Sequence, residues 1–322
     1  MIPDEKGRRM ACYKMKTFFL ALLTGLCLAL VNDAEARLEV VATTPDLGSI
    51  AEAVGGDRVS VTSLARGTED AHFTSPRPSF IRVLNRADVL IENGAELEVG
   101  WLPPLVRNAR NRAIIPGNPG RVKAADGVSL LDIPEGAVDR TMGDVHVSGN
   151  PHFLLDPLNA KIVAETIAAA FIELDPEGAG DYQSALETFQ SRIDEKMEEW
   201  KEKLEPYEGT QVVTYHATYR YFAERFGFET VAMIEPLPGV EPTPRHLRDL
   251  IQRIRDENIR MIWAEPFRPS RSVDRVGDAT DAVVLRLPEL VGGVPDAEDY
   301  ISLIDYNVRA IVDALDADSP EA

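Results

Sequence analysis

Residues 178–205 read GAGDYQSALETFQSRIDEKMEEWKEKLE. Their large apolar side chains are Tyr182, Leu186, Phe189, Ile193, Met197, Trp200 and Leu204. The steps between them are all three or four, the repeat of one face of an α-helix. Pro176 stands before the stretch and Pro206 closes it, as proline does at helix ends. A helix over these residues is about 40 Å long at 1.5 Å per residue. One apolar stripe on so long a rod needs a partner surface. Lying across the backs of two lobes supplies one, and a coiled-coil dimer is the competing arrangement.

On both sides of the rod, strand and helix patterns alternate. Before it, Leu38–Ala42, Val59–Leu64 and Asp88–Glu92 read as strands, with shorter apolar pieces at 113–115 and 128–131 and a helix over 49–54. After it come strands at 211–215, 230–234, 259–264 and 282–287, with helices at 219–226, 244–257 and 299–315. Such alternation predicts α/β structure: two doubly wound, mainly parallel lobes joined by the long helix. The expected organisation is a leader over 1–36, an amino-terminal lobe over 37–177, the helix over 178–206 and a carboxy-terminal lobe over 207–322.

The leader is read from Lys14 and Lys16, the apolar run Phe18–Val31 and the small-x-small triplet Ala34-Glu35-Ala36. This is the pattern of a secretory signal peptide cleaved after Ala36. Cys27 follows Thr24-Gly25-Leu26, without the small residue a lipid-anchored cysteine needs beside it, so a soluble exported protein is expected. Both cysteines, Cys12 and Cys27, fall in the leader, which excludes disulfides and thiolate metal sites downstream. The chain carries 53 acidic against 34 basic residues, a formal charge of −19. Nucleic acid is thereby excluded as a natural partner.

Chemistry rests on five histidines, His72, His146, His152, His216 and His246. No pair has the spacing of a helical zinc-protease motif. Position says more: His216 directly follows the strand QVVTY, and Glu265 directly follows IRMIWA. Ligands of open α/β sheets sit beyond the carboxyl ends of strands. His72 lies in the loop GTEDAHFTSPRPS and His152 in GNPHFLLDP. Neutral imidazole is a common zinc donor.

The segments VVATTPDLGSIAEAVGGDRV, HFTSPRPSFIRVLNRADVLIENG, GNPHFLLDP, VVTYHATYRYFAERFG, EPLPGVEPTPRHL and DYISLIDYNV together resemble the zinc- and manganese-specific solute-binding proteins of ABC importers, the ZnuA-like group. The resemblance implies a metal site in the cleft between the lobes, with His72, His152 and His216 as ligands. It implies a binding protein rather than an enzyme. It further implies delivery to a cognate permease. The signal peptide places the protein in the periplasm, and three imidazoles with at most one carboxylate suit Zn²⁺ as cargo better than Mn²⁺, which prefers more oxygen donors. A monomer is expected.

Two departures from the family pattern bear on the site. Many members carry an Asp before a Pro as fourth ligand; here Leu287 precedes Pro288. Glu265, Glu289, Asp70 or a water is left for that place, with Glu265 preferred either as ligand or as a group orienting an imidazole. The long histidine-rich loop of many zinc-specific members is reduced to His146 in GDVHVSGN. His146 reads as a surface residue, with a transient metal donor as the alternative, and its loss is expected to change equilibrium binding little. Asp156 reads as a helix or turn cap and Trp101 as a packing residue. A secreted metallohydrolase using the same histidines, with Glu265 as base, and a metal-dependent adhesin are the alternative functions.

Overall fold

The structure, a computed structural model, describes residues 37–136, 146–237, 239–268 and 270–317. The expected leader lies outside them.

The amino-terminal lobe is a four-stranded parallel sheet of β1 (Leu38–Ala42), β2 (Val59–Ser63), β3 (Val89–Glu92) and β4 (Arg121–Lys123), in the order β2-β1-β3-β4. The second lobe repeats that order with β5 (Gln211–Thr214), β6 (Glu229–Met233), β7 (Met261–Ala264) and β8 (Val283–Arg286), all parallel, as β6-β5-β7-β8. The strand order therefore reverses beside β1 and again beside β5, and each reversal opens a crevice at the carboxyl ends of the strands.

Nine helices stand among the described residues: α1 (Pro45–Gly55), α2 (Pro78–Arg86), α3 (Leu102–Ala109), α4 (Pro157–Leu174), α5 (Ala179–Leu204), α6 (Arg220–Phe226), α7 (Pro244–Asp256), α8 (Ser270–Gly277) and α9 (Tyr300–Ala317). Helix α5 is the expected rod, and all seven stripe residues are buried. Each such side chain contributes roughly 1.5–3 kcal/mol on leaving water. The partner surface is α1 and α4 of one lobe together with α9. One apolar cluster runs from Val40 and Ile91 through Trp200 to Trp263 and Ile304, so the two lobes share a single core.

Three expectations need correction. Helix α1 starts at Pro45 rather than Ser49, because proline is preorganised for the first helical turn. The fourth strand is the three-residue β4, not the apolar pieces at 113–115 or 128–131; β4 pairs at the sheet edge through its backbone and buries only Val122. Helix α4, rich in Ala and Ile, has no counterpart among the expected elements because its apolar residues mark no single face. Asp156 caps it as expected, accepting from Leu158 N at 2.9 Å.

Candidate metal centre

His72 sits on a one-turn 3₁₀ helix (Ala71–Phe73) in the loop after β2. Asp70 caps that turn by accepting from His72 N at 3.0 Å, and Trp101 Nε1 donates to Ala71 O at 2.9 Å from beneath. His152 precedes a second 3₁₀ turn (Phe153–Leu155) and donates its backbone N–H to Asn150 Oδ1. Asn150 is itself fastened to the other lobe: its amide donates to Ala217 O at 2.8 Å, and Tyr221 Oη donates to its carbonyl at 2.7 Å. His216 extends from the end of β5 into a third 3₁₀ turn (Ala217–Tyr219).

These three loops converge. One ring nitrogen from each of His72, His152 and His216 lies within 4.8 Å of the other two, a group gathered from both lobes. Ring centroids are 5.1 Å apart for His72 and His152, 5.8 Å for His72 and His216, and 5.4 Å for His152 and His216.

Each ring also meets a carboxylate at Nδ1. The distances are 2.8 Å from His72 to Asp70, 3.3 Å from His216 to Glu235 and 3.7 Å from His152 to Glu289. At His72 this contact is a hydrogen bond, which holds the proton on Nδ1 and turns Nε2, with raised basicity, toward a metal; the facing oxygens of Glu235 and Glu289 lie near their rings without a hydrogen bond. His152 Nε2 is buried and has no hydrogen-bond partner. An unmet buried polar atom costs about 1–3 kcal/mol, and a cation bound at that nitrogen removes the cost.

Burial, followed by the neighbouring imidazoles, pushes the His152 pKa well below 6.5 and that of His146 to about 4. Both rings are thus kept in the neutral form that binds metal. Burial alone would raise the Asp70 pKa; the hydrogen bond from His72 and the charges of His72 and Arg268 hold it well below the usual carboxylate range. Glu289 goes the other way, raised by burial and by nearby Glu265.

Glu265 is placed differently from expectation. Its side chain is fully buried, accepts a short hydrogen bond from Thr218 Oγ1 and faces Arg268 Nε at 3.2 Å. It is not among the residues whose donor atoms cluster. Leu287 is buried, and its carbonyl accepts from Tyr219 Oη. Of the remaining candidates, Asp70 and Glu289 face imidazole Nδ1 atoms instead. Glu235, which sequence reasoning passed over, does the same for His216. Its signal was available, since it follows β6 as His216 follows β5.

His146 corrects its surface reading. The ring is half-buried, and its Nε2 lies 3.0 Å from His72 Nε2, with centroids 5.1 Å apart. His246 stands apart, its Nε2 bonded to Met233 O at 3.0 Å. A cleft of about 390 Å³ opens beside the group, lined by His146, His152, His216, Asn150 and Arg220.

Two α/β lobes on one helical rod, with imidazoles from both converging in the cleft, define a metal-capturing binding protein. The chain belongs to the ZnuA family, described as zinc-uptake complex component A, periplasmic, whose sequence profile matches residues 40–314. It resembles the manganese ABC transporter substrate-binding lipoprotein PsaA of Streptococcus anginosus, at 25% identity over 87% of this chain and 89% of that protein. PsaA of Streptococcus pneumoniae is also 25% identical, over 92% of this chain and 96% of the relative. The crystal structure of ZnuA superposes with a TM-score of 0.73 at 25% identity, covering 86% of this chain and 99% of that one. A manganese-bound periplasmic metal-binding protein from Candidatus Liberibacter asiaticus shares the fold, with a TM-score of 0.71 at 24% identity, over 87% of this chain and 99% of that one.

The protein is therefore an extracytoplasmic substrate-binding component of a metal ABC importer, working with a membrane permease and ATPase. It is not an enzyme, and the metallohydrolase and adhesin alternatives gain no support.

Proposed function

We propose that this chain captures Zn²⁺ in preference to Mn²⁺ through His72, His152 and His216 and delivers it to its cognate permease. The observation that carries this reading is the donor set. Three imidazole nitrogens from both lobes come within 4.8 Å of one another, and no carboxylate belongs to the group. Nitrogen-rich sites favour zinc, whereas manganese prefers more oxygen. The named manganese relatives are only about a quarter identical. The carboxylates around this site face imidazole Nδ1 atoms rather than the cluster centre.

The mature protein is free in the periplasm after cleavage at Ala36 and acts as a monomer. The relatives named above are lipoproteins, whereas the residues before Cys27 lack the pattern that directs lipidation. Mass spectrometry of the exported chain distinguishes a free amino terminus at Arg37 from a lipid-modified cysteine.

Competitive titration of metal-free protein tests the metal preference. The expected result is stoichiometric zinc binding at least about tenfold tighter than manganese. Tighter manganese binding sinks the proposal.

A further inference from the structure

The group supplies three donors, and tetrahedral zinc takes four. Leu287 offers no donor side chain, and Glu265 is committed to Thr218 and Arg268. We propose that His146 is the fourth ligand. It would complete an all-imidazole set from a surface segment and control how fast the metal leaves. The proposal rests on the reading of His72, His152 and His216 as ligands.

The first support is distance. His146 Nε2 is 3.0 Å from His72 Nε2. Two imidazole nitrogens on one tetrahedral zinc, each 2.0–2.1 Å from it, are about 3.3 Å apart. The pair already stands within a few tenths of an ångström of that spacing. His146 lies outside the group whose donors come within 4.8 Å of one another, so completing the set also requires its ring to swing toward His152 and His216.

The second support is anchorage. The residues after His146 are held to the amino-terminal lobe by one side chain. Glu96 accepts from Val147 N at 2.6 Å through Oε2 and from Ser148 Oγ at 2.9 Å through Oε1. Gly149 then turns the chain at φ +115, where a Cβ would meet Leu131 O at 2.8 Å. His146 is thus presented to the cluster from a fixed point rather than by chance contact.

The third support is contrast. His72, His152 and His216 each have a carboxylate against Nδ1. Among the described residues no such carboxylate contact holds His146, whose ring borders the cleft. The least supported ring at the cleft mouth is the one suited to arrive last and leave first. Glu96 is then a positioning residue: it touches no metal and sets where His146 stands.

The test is zinc-edge X-ray absorption on the zinc-loaded full chain, paired with zinc release to a fast chelator. Wild type is expected to show four imidazoles, and His146→Ala three plus a light-atom donor. Release from His146→Ala should be faster by on the order of 10- to 100-fold. Glu96→Ala should speed release while leaving wild-type melting and the three remaining imidazoles in place. Three imidazoles plus oxygen in wild type, with His146→Ala unchanged in spectrum and release rate, overturns the proposal. The 3.0 Å contact would then be only a hydrogen bond between two rings. Absence of stoichiometric zinc in wild type, or a His216→Ala protein with the full imidazole count, overturns the three-histidine reading and this proposal with it.

Discussion

Arg268 Nη1 lies 2.8 Å from Asp70 Oδ2, joining residues 198 positions apart and binding one lobe to the other across the metal cleft. The other oxygen of Asp70 faces His72 Nδ1. A single carboxylate thus orients an imidazole of one lobe while held by a guanidinium of the other. Arg268 also pairs with Glu265 and lies over the Tyr215 ring at 5.2 Å.

Arg268→Ala should therefore act on stability and binding together. Removing one partner of a largely buried pair costs about 3–5 kcal/mol, and loss of an outer-sphere partner costs about 10- to 100-fold in metal affinity. Thermal melting with and without zinc measures both. An Arg268→Ala protein that melts and binds like wild type would contradict the interlobe role.

Glu235→Gln and Glu265→Gln separate the acid that sequence reasoning missed from the one it favoured. Glu235 faces His216 Nδ1, so its amide variant should lose about 10- to 100-fold in zinc affinity. Glu265 serves Thr218 and Arg268, so its variant should lose stability, by about 1–3 kcal/mol, with a smaller change in affinity. Isothermal titration and denaturant melts give the two numbers. A larger affinity loss in Glu265→Gln reverses the assignment.

His216 is the ligand candidate from the second lobe. Its replacement by alanine should abolish most of the zinc-dependent rise in melting temperature, whereas His246→Ala, outside the cluster, should preserve it. At a free zinc concentration about 100 times Kd the wild-type rise corresponds to about 2.7 kcal/mol. Scanning calorimetry at matched zinc reads it directly.

Asp46 gives a pH signature. Burial raises its pKa from 3.8 to about 6, and its Oδ1 has no hydrogen-bond partner. A carboxyl that ionises harder in the folded chain stabilises the fold below about pH 4, and this contribution is lost as pH rises through about 6. Asp46→Asn should thus stabilise the metal-free protein by up to about 3 kcal/mol at about pH 7–8 and by little at about pH 4. His146 has the opposite sign. Its pKa falls from 6.5 to about 4, so stability present above 6.5 declines as pH drops toward 4. His146→Ala should flatten that acid limb. Melts of both variants from about pH 4 to about pH 8 check the two slopes.

The rod α5 was legible because all seven stripe residues obey one repeat and all seven are buried. Strand cores such as VVA at 40–42 and MIWA at 261–264 were legible as short buried runs. Strand β4, Arg-Val-Lys, was not, because an edge strand of three residues held by its backbone carries almost no side-chain pattern. At the site, the rule of strand ends led to His216 and applied equally to Glu235, which directly follows the expected strand 230–234. His146 was illegible for another reason. Its place near His72 depends on Glu96, far earlier in the chain, gripping Val147 and Ser148, and no local periodicity encodes a tether of that kind.

The shared core has a consequence for the order of assembly during export. Helix α9, near the carboxyl end, does not pack on its own lobe alone. Tyr300 donates its backbone N–H to Ser49 Oγ at 3.0 Å and its hydroxyl to Leu154 O at 2.5 Å, and Ile304 and Val308 join the cluster containing Val40 and Trp200. A chain threaded across a membrane from its amino terminus delivers the first lobe long before that helix arrives. Until it does, the first lobe keeps apolar surface bare, a condition that slows folding and invites aggregation. The metal cleft therefore takes shape only after nearly the whole polypeptide has crossed, and a translocation arrest before Tyr300 leaves a nascent chain dependent on extracytoplasmic chaperones rather than a half-working receptor.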